Sequence, residues 1–161
     1  MSTIYLDTII KPDIQTVFDL ARDIDLHQES TFKTGEKAIA GRTSGLIEEG
    51  ETVTWRAKHL GFCQTLTIKI ISMKRPHHFT DMMLQGAFKS MKHQHIFRQE
   101  GKNTIMTDIF EFHSPFGIIG KIFDALFLKN YMKNFLLERN KLIKTVAENK
   151  QKRERSERRN V

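Results

Sequence analysis

Between residues 51 and 113 the chain alternates apolar and polar side chains with period two, in segments separated by turns that contain glycine or proline. Such a pattern suits an antiparallel sheet with one covered face and one wet face. The turns set the register. With Leu60-Gly61 as a two-residue turn, His59 pairs with Phe62, Trp55 lies opposite Leu66 and Val53 opposite Ile68. Thr52, Thr54, Arg56, Lys58, Thr65, Thr67 and Lys69 then share the wet face.

Upstream, Ile4 to Ile10 reads as a strand, and Pro12 opens a short amphipathic helix through Ile14, Val17, Phe18 and Ala21. A second helical turn is expected around Asp25 to Glu29, followed by extended segments near 33–40, 51–60, 62–73, 77–85, 89–99 and 104–113. From Pro115 to about Asn149 the apolar spacing changes to three and four, through Ile119, Ile122, Phe123, Leu126, Phe135, Leu142, Ile143 and Val146. That final helix is the only long element available to cover the sheet. Trp55, Leu66, Ile68, Phe110 and Phe112 are therefore expected to face its Ile119, Ile122, Phe123 and Leu126 region.

A chain of 161 residues suits one domain with a sizeable core. Of its net charge of +7, residues 150–161 carry six Lys/Arg against Glu154 and Glu157, a net of +4, which leaves +3 for the body. The expectation is a single domain over 1–149 and a basic tail, 150–161, that is frayed or disordered. No aromatic residues interleave the tail's charges to stack on bases, so nucleic acid is not an expected partner. Cys63 is the only cysteine, which excludes an intrachain disulfide and fits a reducing, cytoplasmic setting. Met1 to Asp7 show no secretory signal, and Phe116 to Leu128, broken by Lys121 and Asp124, falls short of a membrane span.

The chemistry concentrates in "SMKHQHIF", Ser90 to Phe97. Period two puts Met91, His93, His95 and Phe97 on one face. A turn at Gly101-Lys102 pairs Glu100 with Asn103, Phe97 with Met106, His95 with Asp108 and His93 with Phe110, and it pairs Lys92 with Glu111 on the exposed face. A three-residue turn at Gly86-Ala87-Phe88 places Asp81 opposite His93, whereas a two-residue turn would reverse the relative faces. A polar cluster of Asp81, His93, His95 and Asp108 is thus expected among Phe79, Met83, Met91, Phe97, Met106, Phe110 and Phe112. Buried carboxylates and imidazoles are costly unless paired, so the cluster must satisfy itself or face water and a ligand.

The order of elements, with "GETVTWRAKHLG", "GAFKSMKHQHIF", "TIMTDIFEFHSPFG" and the long terminal helix, resembles the SRPBCC superfamily of START-like, helix-grip proteins over residues 3 to 149. Within it the chain is similar to bacterial ligand-binding proteins grouped with polyketide cyclase/dehydrase and lipid-transport relatives. The resemblance implies an α+β, helix-grip fold in which a curved antiparallel sheet of about seven strands wraps around the C-terminal helix. Two short helices follow the first strand, and a cavity for a hydrophobic small molecule lies between sheet and helix. No cofactor and no metal is expected. The resemblance carries over no catalytic signature, so the cluster rests on register alone.

A His-Asp pair between strands is commonly a structural hydrogen bond, and tryptophan, methionine and phenylalanine side chains commonly just fill a core. Three readings stay open. The cavity holds an apolar or amphipathic molecule, as in a carrier or sensor. Alternatively His95 and Asp108 form the acid/base pair of a cyclase, dehydratase or hydrolase. Or Phe and Met side chains fill the cavity and the protein is an interaction module.

Overall fold

The computed structural model describes residues 1–59, 61–115 and 127–159. In chain order the elements are β1 (Ser2–Ile10), α1 (Ile14–Ala21), α2 (Ile24–Ser30), β2 (Lys37–Gly41), β3 (Thr52–His59), β4 (Phe62–Lys74), β5 (His78–Gln85), β6 (Ser90–Glu100), β7 (Asn103–His113) and α3 (Lys129–Arg159). All the strands form one antiparallel sheet in the order β1-β7-β6-β5-β4-β3-β2. The first two strands therefore occupy opposite edges, and α1 and α2 form the connection that carries the chain from one edge to the other.

Local chemistry explains that connection. Asp13 caps α1, accepting from Thr16 N at 3.0 Å, and Asp23 caps α2, accepting from Asp25 N and Leu26 N at 2.9 and 3.1 Å. Pro12 precedes the cap and is not part of the helix, two positions earlier than the first helical position the proline rule favours. Two carboxylates so placed start and restart the helix within eleven residues of one another.

Both hairpin registers agree with the turn chemistry. His59 pairs with Phe62 and Trp55 with Leu66 across β3 and β4. Glu100 pairs with Asn103, His95 with Asp108, and Lys92 with Glu111 across β6 and β7. Gly61 and Gly101 hold φ of 86° and 57°, the left-handed conformation these tight turns require. Asp81 pairs with His93, the register a three-residue turn would give, although the ladder between β5 and β6 stops at Met82 and Lys92. Arg56 and Lys58 are exposed on the outer face.

The helix grips the sheet from one side. α3 packs against β1, α1 and α2, and the buried residues of its sheet-facing stripe are Leu136, Arg139, Asn140, Ile143 and Ala147. Held at that edge, it stands off from β3, β4 and β5, and the space beneath it becomes the cavity described below. Whether the sheet also meets Ile119, Ile122, Phe123 and Leu126 lies outside the described residues.

Residues 150–159 of the basic tail are helical. α3 continues to Arg159, and residues 152–159 are exposed all round. Lys, Arg and Glu favour helix intrinsically, and a helix already begun continues at little cost. Among the described residues no helix is long and apolar enough to cross a membrane. The extension lies beyond Ala147, the last residue of α3 that is fully buried. Truncation after Asn149 is expected to leave the melting temperature within about 2 °C of the full chain, measured by circular dichroism. A larger fall would show that the extension docks on the body.

Candidate functional site

A cavity of about 570 Å³ opens between the sheet and α3. Trp55, Leu66, Ile68, Phe79, Met91 and Phe110 form apolar wall, and Asp81, His93 and His95 line it as well. Five other residues expected there do not. Phe97 and Met106 share the inner face, but α1 covers that end of β6 and β7, where Phe18 meets Phe97 with ring centroids 5.3 Å apart. Phe112 is buried between Phe110 and Phe88 at 5.7 and 5.5 Å. Met83 packs at the margin of the core beside Gly86 and Leu66. Asp108 sits behind the cavity wall, fully buried. Ile119, Ile122, Phe123 and Leu126 lie outside the described residues.

Asp108 is the centre of the deeper polar cluster. It accepts from His93 Nε2 at 2.9 Å and from Asn140 Nδ2 at 2.7 Å, and Arg139 lies 3.6 Å away. His95 Nε2 lies 3.1 Å from Asp81 Oδ2. The bonds thus run along the diagonals of the ladder, not between the directly opposed His95–Asp108 and His93–Asp81 pairs; long side chains in a twisted sheet reach such positions. His95 Nδ1 approaches Asp108 Oδ1 to 3.0 Å, but off the hydrogen-bonding axis, so that nitrogen is left without a formed bond. The imidazoles lie 3.8 Å apart, with His95 stacked on Phe79 at 4.1 Å and His93 edge-on to Phe110 at 5.2 Å.

A second polar cluster, absent from the sequence reading, stands at the other end of the cavity. Glu36 bridges two imidazoles, His27 at 2.7 Å and His59 at 3.1 Å. The far side of the His59 ring meets the Tyr131 hydroxyl at 2.8 Å, while His27 lies against Trp55 with ring centroids 4.3 Å apart. These four residues also line the cavity. The His27 and His59 side chains are 22 % and 20 % exposed, against 9 % and 3 % for His93 and His95, so the Glu36 end is the shallow one. The poles are three strands apart across the sheet, or eight residues along α3 from Tyr131 to Arg139, a separation of roughly 12 to 14 Å.

Electrostatics fixes the charge of each pole. Burial opposes ionisation of Glu36, but hydrogen bonds and Coulomb attraction from His27 and His59 outweigh it and bring the carboxyl down to about 2. Asp108 and Asp81 are likewise desolvated, yet their imidazole neighbours hold Asp108 well below, and Asp81 below, the usual carboxylate range. His93 is held neutral: burial and the neighbouring His95 lower it to about 4 against the pull of Asp108 and Asp81. Burial and the charge on Glu36 raise the Tyr131 hydroxyl, which keeps it a phenol.

Asp81, His93 and His95 each offer one ligand atom, all within 4.8 Å of one another, and could in principle converge on a cation. A metal there would have to displace the His95–Asp81 hydrogen bond and accept the guanidinium of Arg139 among its neighbours.

Several residues of the two poles were not read from the pattern. Arg139 and Asn140 were legible in part, since 136, 139, 140, 143 and 147 form an i, i+3, i+4 stripe that puts two polar side chains on the covered face of α3. Glu36, His27, His59 and Tyr131 left no such signal. They come from a loop, a short helix, a strand end and the first turn of α3.

The sign of the pH dependence follows. His93 is lowered, so between about pH 6.5 and 4 the unfolded chain binds a proton that the native state refuses, and stability falls on acidification by up to about 3 kcal/mol. Glu36, also lowered, contributes stability that is present above about pH 4.5 and is lost as pH falls towards 2. Thermal melts from pH 7 to 3 are expected to show a continuous decline, flattened between about 6.5 and 4 in a His93→Gln variant and below about 4.5 in Glu36→Gln. Parallel profiles for wild type and both variants would contradict these assignments.

No family model matches the chain, and no curated protein does. Solved structures match it along most of its length. A protein of Thermus thermophilus superposes with a TM-score of 0.70 at 14 % identity, covering 91 % of this chain and 99 % of that one. A START superfamily protein from Mycobacterium smegmatis gives a TM-score of 0.69 at 11 % identity, covering 91 % and 97 %. The major latex-like protein 151 of Panax ginseng gives 0.67 at 18 % identity, again covering 91 % and 97 %. Seven antiparallel strands, a long C-terminal helix, two short helices after the first strand and these neighbours together give the chain a START-like, helix-grip fold.

Proposed function

We propose that this protein binds a hydrophobic or amphipathic small molecule, of lipid or polyketide-like character, in the cavity between sheet and C-terminal helix, as a cytoplasmic carrier or sensor. The observation that carries the reading is the cavity itself. At about 570 Å³ it lies within the range of small-molecule sites, and its walls are largely apolar with hydrogen-bonding groups gathered at two poles. A volume of this size weighs against an interaction module whose own Phe and Met side chains fill the space. The helix-grip fold adds support, and an exposed, unpaired Cys63 fits a reducing compartment.

A second reading, acid/base catalysis of the cyclase, dehydratase or hydrolase type, has one observation in its favour: a buried carboxylate orients an imidazole on the cavity wall. The imidazole so oriented is His93, however, and not His95. Its lowering to about 4 makes it a weak base at neutral pH, which favours the binding reading.

N-Phenyl-1-naphthylamine, an uncharged fluorescent probe, is expected to enter the cavity and quench or shift the emission of Trp55, the only tryptophan. Ala57→Phe, which fills the cavity from β3, is expected to weaken that binding about tenfold or more while the chain still folds. Lys58→Ala, on the outer face beside it, should change nothing. Equal effects would place the probe outside the sheet.

A further inference from the structure

The deep end of the cavity presents polar atoms that the fold itself does not use. His93 gives its Nε2–H to Asp108 at 2.9 Å, so its Nδ1 carries a lone pair, and no described residue donates to it. Asp81 engages His95 through Oδ2 at 3.1 Å, and no described residue donates to its Oδ1. Both side chains line the cavity, 9 % and 12 % exposed. Two hydrogen-bond acceptors thus belong to side chains that line a largely apolar space.

The charges around them are already matched or in excess of negative. Asp81 and Asp108 supply two carboxylates, and the cation beside them on α3 is Arg139. That guanidinium is committed: one terminal nitrogen donates to the Ala21 carbonyl at 2.7 Å, and the other reaches Asn140 Oδ1 at 3.4 Å and faces Asp108. His95 cannot offer its unbonded nitrogen to a ligand, because that atom is buried against Asp108.

We propose that this end of the cavity selects a hydroxyl: the ligand is an alcohol or phenol whose O–H donates to His93 Nδ1, with Asp81 Oδ1 alongside as the acceptor that turns anions away. The proposal rests on the cavity-binding reading above and names the head group that the cavity takes. A carboxylate head brings no hydrogen and meets two aspartates. An ammonium head must give up its hydration to pair with an Asp81 that already holds His95, and in a buried site the ion pair gained seldom offsets that cost. An ether has the shape of the alcohol without the proton, and leaves the His93 lone pair desolvated and unpaired. The alkyl or aromatic remainder runs towards Trp55 and the shallow pole, where apolar wall continues.

The test uses the full wild-type chain and four ligands with one ten-carbon tail: decan-1-ol, 1-methoxydecane, decylamine and decanoate. Each competes at about pH 7.5, below its aggregation concentration, for the site of N-phenyl-1-naphthylamine. Decan-1-ol is expected to displace the probe at a concentration at least about tenfold lower than any of the other three. In the decan-1-ol complex the ¹⁵N resonance of His93 Nδ1 is expected to shift, and 1-methoxydecane is expected to leave it in place. If any of the other three displaces the probe as well as decan-1-ol does, or none of the four displaces it, the head-group assignment is overturned while cavity binding stands. An unmoved Nδ1 resonance in the alcohol complex overturns it too. Failure of the naphthylamine probe itself to bind overturns both readings.

Discussion

Asp108 is the group on which the two layers depend. It projects from β7, is fully removed from water, and is held simultaneously by His93 of the neighbouring strand and Asn140 of α3, with Arg139 beside it. A lone buried carboxylate would cost several kcal/mol; one that accepts hydrogen bonds from both a sheet and a helix converts that cost into a geometric requirement. The helix can take few positions that still satisfy it. Arg139 extends the same tie to the third component by donating to the Ala21 carbonyl at the end of α1. Sheet, long helix and short helices are thereby registered through one charge.

That registration explains why there is a cavity at all. A helix lying over the middle of the sheet would bury Trp55, Ile68 and Phe79 under its own side chains. Here α3 is drawn to the β1 edge, where Asn140 also reaches Thr8 at 3.1 Å. The central strands are left with apolar side chains facing a space, not a neighbour. At the shallow end Glu36 makes a comparable tie, joining α2, the loop before β2, the end of β3 and, through His59, the first turn of α3. Each end of the space is closed by a carboxylate with two nitrogen donors, and polar interactions hold open what apolar packing alone would collapse.

The layout of the fold was legible from the sequence because two-residue turns at Leu60-Gly61 and Gly101-Lys102 leave only one register, and period two then assigns every side chain a face. Asp81, His93, His95 and Asp108 came together for the same reason. What alternation cannot supply is position along the strand. Phe97 and Met106 share the cavity's face yet lie under α1, a covering that depends on how two short helices cross the sheet. Nor does register reveal which diagonal an imidazole takes, since that follows from strand twist and from where Asn140 arrives. The Glu36 cluster joins residues up to 104 positions apart, from His27 to Tyr131, with no periodicity connecting them.

The two poles differ in what they have left to offer, and that difference orders the cavity. At the shallow pole Glu36 uses both oxygens on imidazoles, and His59 uses both of its nitrogens, one on Glu36 and one on Tyr131. Its hydrogen bonds are directed inward, at one another. At the deep pole the analogous carboxylate, Asp108, is held by His93 and Asn140, and the imidazole it holds lines the cavity with its second nitrogen not engaged by Asp108. The deep end is also the better desolvated, so a hydrogen bond gained there is worth most and a mismatch costs most. A molecule entering past His27 and Trp55 meets mainly apolar surface before it reaches that point, so shape and hydrophobicity admit it and the deep pole discriminates. The same order follows from burial alone: apolar contact accumulates gradually along the wall, whereas a polar group can be satisfied only where a partner waits.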